Sequence, residues 1–461
     1  MENVYTRSLA EYIAGSTFEA IPAHVVAHIK LLVLDTLGTG LLGAAMPWSE
    51  RLRATLAASE APGDAAVWGT PLRFSAPSAA MANATAVHGF ELDDVGAGGH
   101  NGSVTLTTAL ALAQHRGGIS GAALIDALVA GYETSARVSR CVGRIPHEGL
   151  GFHGPGLMGT FAAVAAGAKA LKLDAGAVVH ALGHAGQQAA SLMFTHHGGM
   201  GKRLLAGQAA RGGTFGALLA AHGFTNADNV FEAEYGGFCA AHTGNRGPER
   251  YDLTQLTREL GSAYHCLESR IKLWACRVPC HPTLEGLREI RRRHPVPPHQ
   301  VAAVRIRLGR GSLQNVGWAY HPATVASAQL NLHYVAAIML LENDVFLEQF
   351  SEAKIRAPEV LEMVRRITIL HDPDLDDAGW AAGNPVQIEL TDGTRLEAWG
   401  HARGTPERPI PREDVVAKFR KTTAAALEQR AQDALIERCD RLETLPDATE
   451  LLALLPTGVR G

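Results

Sequence analysis

Polar residues set into otherwise apolar stretches carry whatever chemistry this chain performs. The segment HGFELDDVGAGGHNGS holds His88, Glu91, Asp93, Asp94, His100 and Asn101, and its glycines can fold a short loop that brings carboxylate and imidazole together. An aspartate can orient a neutral histidine or stabilise its protonated form, and histidine moves protons near neutrality. The alternative is a helix terminus with an acidic cap and a polar turn. In GFHGPG, His153 precedes a predicted helix whose N-terminus favours an anion. The spacing is not GxGxxG at a strand-to-helix turn, so no dinucleotide site follows. The segment MFTHHGGMGKRLLAGQAARGG adds His196, His197, Lys202 and Arg203, whose cations could neutralise carboxylates or simply decorate a surface. Lys272 lies between Ile271 and Leu273, so its stem can pack while its ammonium enters a polar pocket or snorkels at a domain edge. Tyr334, beside His333, opens an apolar run, as a core aromatic or as a donor to an intermediate. Asp, His, Lys and Tyr without a redox, phosphate or metal motif suit acid/base chemistry on a small carboxylated metabolite.

The elements that must position these residues are mostly helices. At 461 residues the chain exceeds one core's usual span of roughly 250 to 300, so more than one packing unit is expected. After Pro22, the apolar positions Val25, Ile29, Leu32, Val33 and Leu37 repeat at helical spacing. Ala- and Leu-rich segments from residue 75 to 171 predict closely packed helices, and LLAGQAARGGTFGALLAA continues the style, with Gly212 and Gly213 weakening it as one uninterrupted helix. After Lys272 the pattern changes. Val301 to Leu308 and Val364 to Leu370 alternate as strands, and PVQIEL and TRLEAW flank Asp392-Gly393 as a hairpin. Helical periodicity returns after the proline-rich GTPERPIPRED. The expected fold is mainly α with a smaller α+β domain: a helical domain over 1–272, an α+β lid over 273–405, and C-terminal helices over 406–461 completing the first body. Pockets commonly form between domains, which makes the boundary at Lys272 a suitable place for a ligand cleft.

Composition narrows the function classes. A formal charge of −4 argues against non-specific nucleic-acid binding. The N-terminus lacks a basic head followed by an apolar run, and the apolar stretches are punctuated before roughly 20 residues, so no membrane span is expected and the cytoplasm is the default compartment. The six cysteines suggest no disulfide framework, and Cys276, Cys280 and His281 lack the short CxxC spacing and second cluster of a zinc site, so no metal is expected there.

Ordered blocks along nearly the whole chain resemble the MmgE/PrpD family, which includes 2-methylcitrate dehydratases, cis-aconitate decarboxylases and iminodisuccinate epimerases. They are LLVLDTLGTGLLG, HGFELDD then HNGS, AGYETSARV, GFHGPGLMGTFAAVAAGAKAL, GGMGKRLLAGQAARGGTFGALLA, IKLWACRVPCHP and AQLNLHYVAAIML. The resemblance implies a helical domain built from both chain ends, an α+β lid, a homodimer, and a site that needs no cofactor and no metal. It puts Asp93, His100, His153 and Tyr334 at catalytic positions, with Asp94 a local substitute in another loop register. Lys202 and Lys272 match the basic substrate-binding positions, beside Arg203 and Asn101. Two departures stand out: HNGS replaces the commoner HPG-like segment, and Leu205 stands where relatives often have histidine. The leading expectation is a dehydratase-like lyase that abstracts a proton from a small di- or tricarboxylate. An iminodisuccinate-type epimerase, a cis-aconitate-type decarboxylase and a polycarboxylate-binding protein without turnover are the rivals.

Overall fold

The computed structural model describes residues 4–197, 199–244, 248–377, 382–404 and 408–458. Its backbone is mainly helical, with one four-stranded sheet. The chain divides into two compact units. The larger takes Met1–Thr195, Met200–Ile271 and Pro411–Gly461, and the smaller takes His196–Gly199 and Lys272–Ile410. The divisions fall at 271/272 and 410/411, against 272/273 and 405/406 in the sequence reading.

The larger unit is built from α1 (Val4–Gly15), α2 (Ala23–Ala44), α3 (Pro47–Ser59), α4 (Ala76–Gly89), α5 (Asn101–Arg116), α6 (Gly121–Val142), α7 (Gly154–Leu171), α8 (Ala175–Gln188) and α9 (Leu205–Ala221). All five apolar positions expected on the α2 stripe are buried. By length and composition α2 could cross a membrane, contrary to the punctuation argument, but 78% of its apolar window is buried inside the unit. Phe161 on α7 packs its ring 5.2 Å from Phe231 and 4.7 Å from Phe238, at the centre of an apolar core shared with α1 and α8. The α9 helix runs unbroken through Gly212 and Gly213. A Cβ at Gly213 would stand 2.7 Å from the Thr160 carbonyl and against the Ala163 side chain, so the glycine that weakens propensity is what lets α9 close on α7.

The smaller unit contains α10 (His281–Arg293), β1 (Val301–Leu308), α11 (Leu332–Glu342), α12 (Pro358–Arg365), β2 (Ile367–His371), β3 (Asn384–Leu390) and β4 (Arg395–Gly400). The sheet order is β2-β1-β3-β4, with β1 parallel to β2 and antiparallel to β3. The β3–β4 hairpin turns at Gly393 with φ 85°, as the Asp-Gly signal requires. The strand expected from Val364 begins only at Ile367, because Val364 and Arg365 complete the last turn of α12. Two further helices, α13 (Arg412–Thr423) and α14 (Gln429–Asp440), return to the larger unit, where α13 packs on α2.

Candidate active site

The loop between α4 and α5 is the centre of the site, and its conformation is set residue by residue. Gly96 and Gly98 take φ of 134° and 85°, and Glu91 and Ala97 are also left-handed, at 59° and 44°. Gly96 and Gly99 exchange two backbone hydrogen bonds of 2.9 Å, and Val95 pairs with Arg270. A Cβ on Gly98 would meet the Ser135 carbonyl at 2.5 Å, so only glycine lets the loop lie this close to α6. The Asn101 side-chain amide donates to the Ala97 carbonyl at 2.8 Å. The residue expected to stiffen the loop or contact substrate therefore bonds the loop itself.

This loop turns Asp93 toward two imidazoles. Its Oδ2 lies 2.9 Å from His88 Nδ1, on the last turn of α4, and 3.1 Å from His100 Nδ1, at the N-cap of α5. The two rings meet edge to face at 4.5 Å, and the His153 ring is 6.4 Å from that of His88. The His88 Nδ1–H donates to Asp93 Oδ2, which leaves Nε2 as the basic nitrogen of that ring, while His100 Nδ1 lies against the same oxygen. Burial alone would raise the Asp93 carboxyl, but His100 and His88 hold it well below the usual carboxylate range. His88 Nε2 accepts from the Lys202 ammonium at 3.3 Å. Burial, and then the Lys202 charge, press the His88 imidazole well below its ordinary value, so it is neutral. His88 is therefore a neutral link between Lys202 and Asp93, and His100 is the other imidazole set against the carboxylate.

Lys202 also forms an ion pair with Glu91, a contact that rewards the left-handed backbone at Glu91. Lysine has three donors, and Glu91 and His88 are among the groups that meet them. His153 caps the N-terminus of α7 and is 5% exposed. Two helix N-termini, those of α5 and α7, thus begin at histidines of the cluster, an arrangement that favours bound anions. Asp94 faces a different way. It accepts from the Gly102 N–H and the Tyr132 hydroxyl, each at 3.0 Å, and burial together with the charge of Asp93 pushes its carboxyl up to about 7. Lys418 on α13 reaches in from the C-terminal segment, donating to the Leu92 carbonyl at 2.6 Å and pairing with Asp35 at 2.5 Å.

The remaining sequence candidates are described by their own contacts. The Arg203 guanidinium stacks over the Trp48 ring at 4.8 Å, and burial lowers it to about 10. Leu205 opens α9, half-buried. Lys272 and Tyr334 belong to the smaller unit, where Lys272 is 2% exposed. The Tyr334 hydroxyl donates to the Gln349 carbonyl, and its ring lies 5.2 Å from that of Tyr320. His196 is also in the smaller unit, and the His197 side chain lies outside the described residues. The sequence reading named His88 and Glu91 within the motif without assigning them roles, and it passed over Tyr132. A histidine ending an Ala-rich apolar helix five residues before an acid pair was the available signal for His88.

Among the described residues, His88, Asp93 and His100 offer one donor atom each within 4.8 Å, a spacing a cation could use. The oxygen nearest both rings already accepts the His88 N–H and lies 3.1 Å from His100 Nδ1, and we read the set as an acid/base cluster.

A helical unit carrying buried carboxylate, imidazole and ammonium groups, with an α+β unit inserted before its last helices, defines a class of proton-transferring metabolic enzyme. The chain belongs to the MmgE/PrpD family: the MmgE/PrpD N-terminal domain matches residues 7–250 and the MmgE/PrpD C-terminal domain matches residues 274–442. It is 31% identical to the cis-aconitate decarboxylase-like protein oryM of Aspergillus oryzae, over 98% of both chains. It is 29% identical to a cis-aconitate decarboxylase of Aspergillus terreus, over 99% of this chain and 96% of that one. Against the human cis-aconitate decarboxylase the identity is 26%, over 98% and 94% of the two chains. The protein is an enzyme of this family.

Proposed function

We propose that the protein decarboxylates cis-aconitate or a closely similar unsaturated tricarboxylate. The observation that carries this reading is the ionised Asp93 buried behind His100, a pairing that stabilises an imidazolium beside a reacting carbon. Near full-length similarity to proteins named cis-aconitate decarboxylases supports this reading, whereas dehydration led in the sequence reading.

In such an acid, the carboxylate on the methylene carbon is one bond removed from the C=C bond. Its C–C bond breaks to release CO2, and that electron pair forms a new double bond to the central carbon. The old π pair moves to the far carbon, which takes a proton from His100 Nε2. The charge that develops lies beside retained carboxylates. The Lys202 ammonium and the two helix N-termini support it, since preorganised positive groups act most strongly where charge accumulates. His153 is the second proton carrier.

The test is a reaction in D2O with cis-aconitate, followed by NMR and CO2 release. One CO2 and one carbon-bound deuterium per product are expected. Gain or loss of water without CO2 would establish a hydro-lyase instead, and deuterium exchange with inversion of iminodisuccinate would establish an epimerase. Saturable binding of cis-aconitate with no turnover of any candidate acid would leave a binding protein.

A further inference from the structure

Within the smaller unit, α10, the end of α11 and the segment following β4 enclose a concavity of about 1070 Å3. Its wall contains Arg288, Arg291, Arg292, Arg293, Arg403 and Arg408, against the two carboxylates of Glu285 and Glu289. The chain as a whole carries a charge of −4, so this is local enrichment and not general basicity.

Ordinary helix packing accounts for only part of it. Glu285 pairs with Arg288 at 2.6 Å and also accepts the Trp274 indole N–H at 3.2 Å, while Glu289 pairs with Arg292 at 2.8 Å and Arg293 at 2.5 Å, so two lining carboxylates stand against six lining guanidinium groups. Arg291 is fixed by donating to the Met339 and Leu340 carbonyls near the end of α11. Arg403 and Arg408 bring two more cations to the same space from the opposite wall. The field registers on a neighbour: burial and then the Arg408 charge hold the His401 imidazole below its ordinary value. The Trp399 indole N–H donates to the Ala382 carbonyl at 3.1 Å, yet the side chain is 45% exposed and lines the cavity as a flat wall. Guanidinium forks match phosphate and carboxylate geometry, and converging cations of one sign focus an anion into a cleft. The volume is that of a site for a multi-group ligand.

We propose that this cavity is a second binding site, for a small polyanion bearing at least two phosphate or carboxylate groups. Titration calorimetry and tryptophan fluorescence on the full chain, with inorganic tripolyphosphate and citrate as probes, test it. Saturable binding of at least one probe is expected, weakening as KCl rises and quenching an emission that Trp399→Phe removes. Which probe binds identifies phosphate or carboxylate as the source of charge. Arg292→Ala with Arg403→Ala should weaken that binding tenfold or more at an unchanged circular dichroism spectrum. Glu289→Gln, which releases two guanidinium forks, should tighten it several-fold. The proposal is overturned if neither probe saturates up to about 1 mM, or if the double arginine variant binds as the parent does. It also fails if chloride at equal ionic strength displaces the probe completely.

Discussion

Two groups of buried charge in the larger unit, the Glu133–Arg137 pair on α6 and the Asp93 cluster at the α4–α5 loop, are both withdrawn from water but use their hydrogen-bonding capacity differently. Arg137 donates to the carbonyls of Arg258, Glu259 and Ala263 and faces Glu133 at 3.5 Å, while the Glu133 carboxylate accepts the Cys266 N–H at 2.8 Å. A guanidinium does not give up its proton near neutrality, so this arrangement fixes structure. Asp93 instead lies against two imidazoles, one of them kept neutral by burial and then by the Lys202 charge. Burial and charge are common to both; a titratable nitrogen outside the mutual bonding belongs to one.

The largest effect that would sharpen this contrast is expected from His100→Asn. It should lower turnover about 10²- to 10⁴-fold, as loss of a general acid or base does, with the thermal midpoint nearly unchanged. Activity within tenfold of the parent would remove His100 from the proton step. Arg137→Met should act in the opposite way, lowering stability by about 3–5 kcal/mol in urea denaturation because Glu133 is left buried without its partner. The folded fraction should keep the parental pH–rate profile, and a shifted profile would break the distinction between the two groups. Asp93→Asn ranks next. Turnover in steady-state assays should fall about 10²-fold, the low end of what a general acid or base supplies, because His100 loses the carboxylate that holds its ring; activity within threefold of the parent would remove Asp93 from that role.

Asp94 supplies the smallest effect and a definite sign. Its folded carboxyl sits at about 7, above the ordinary value of 3.8, so the native state binds the extra proton between these limits. The stability that protonated Asp94 contributes is present below pH 4 and is lost as pH rises through 7. Denaturation midpoints of Asp94→Asn should therefore gain on the parent between pH 5 and pH 8; a constant difference would mean that Asp94 is ionised throughout.

Much of the site was readable because motif blocks keep their chemistry close in sequence. Asp93 and His100 are seven residues apart, and a glycine loop between them is sufficient reason to expect convergence. What could not be read is any role that depends on a distant partner. His88 becomes a fixed neutral group through burial in the folded unit and through Lys202, 114 residues later. Asp94 parts company with Asp93 because Tyr132 on α6 and the first turn of α5 claim it. Arg203 looked like a substrate fork until Trp48 supplied a ring for it. In the fold, the hairpin was legible from turn chemistry, whereas the continuity of α9 through two glycines depends on how closely α7 approaches, which local propensity does not contain.

Lys418 ties the carbonyl of Leu92 to Asp35 from a helix that lies beyond the inserted unit. During synthesis, the His88, Asp93, His100, His153 and Lys202 side chains have all left the ribosome more than two hundred residues before the ammonium that braces their loop. A chain terminated early, or cut within the inserted unit and separated from its tail, would possess the whole cluster and lack its brace. Maturation of the site is therefore one of the last events in the life of the nascent chain, and intactness of the C-terminus is a condition for activity.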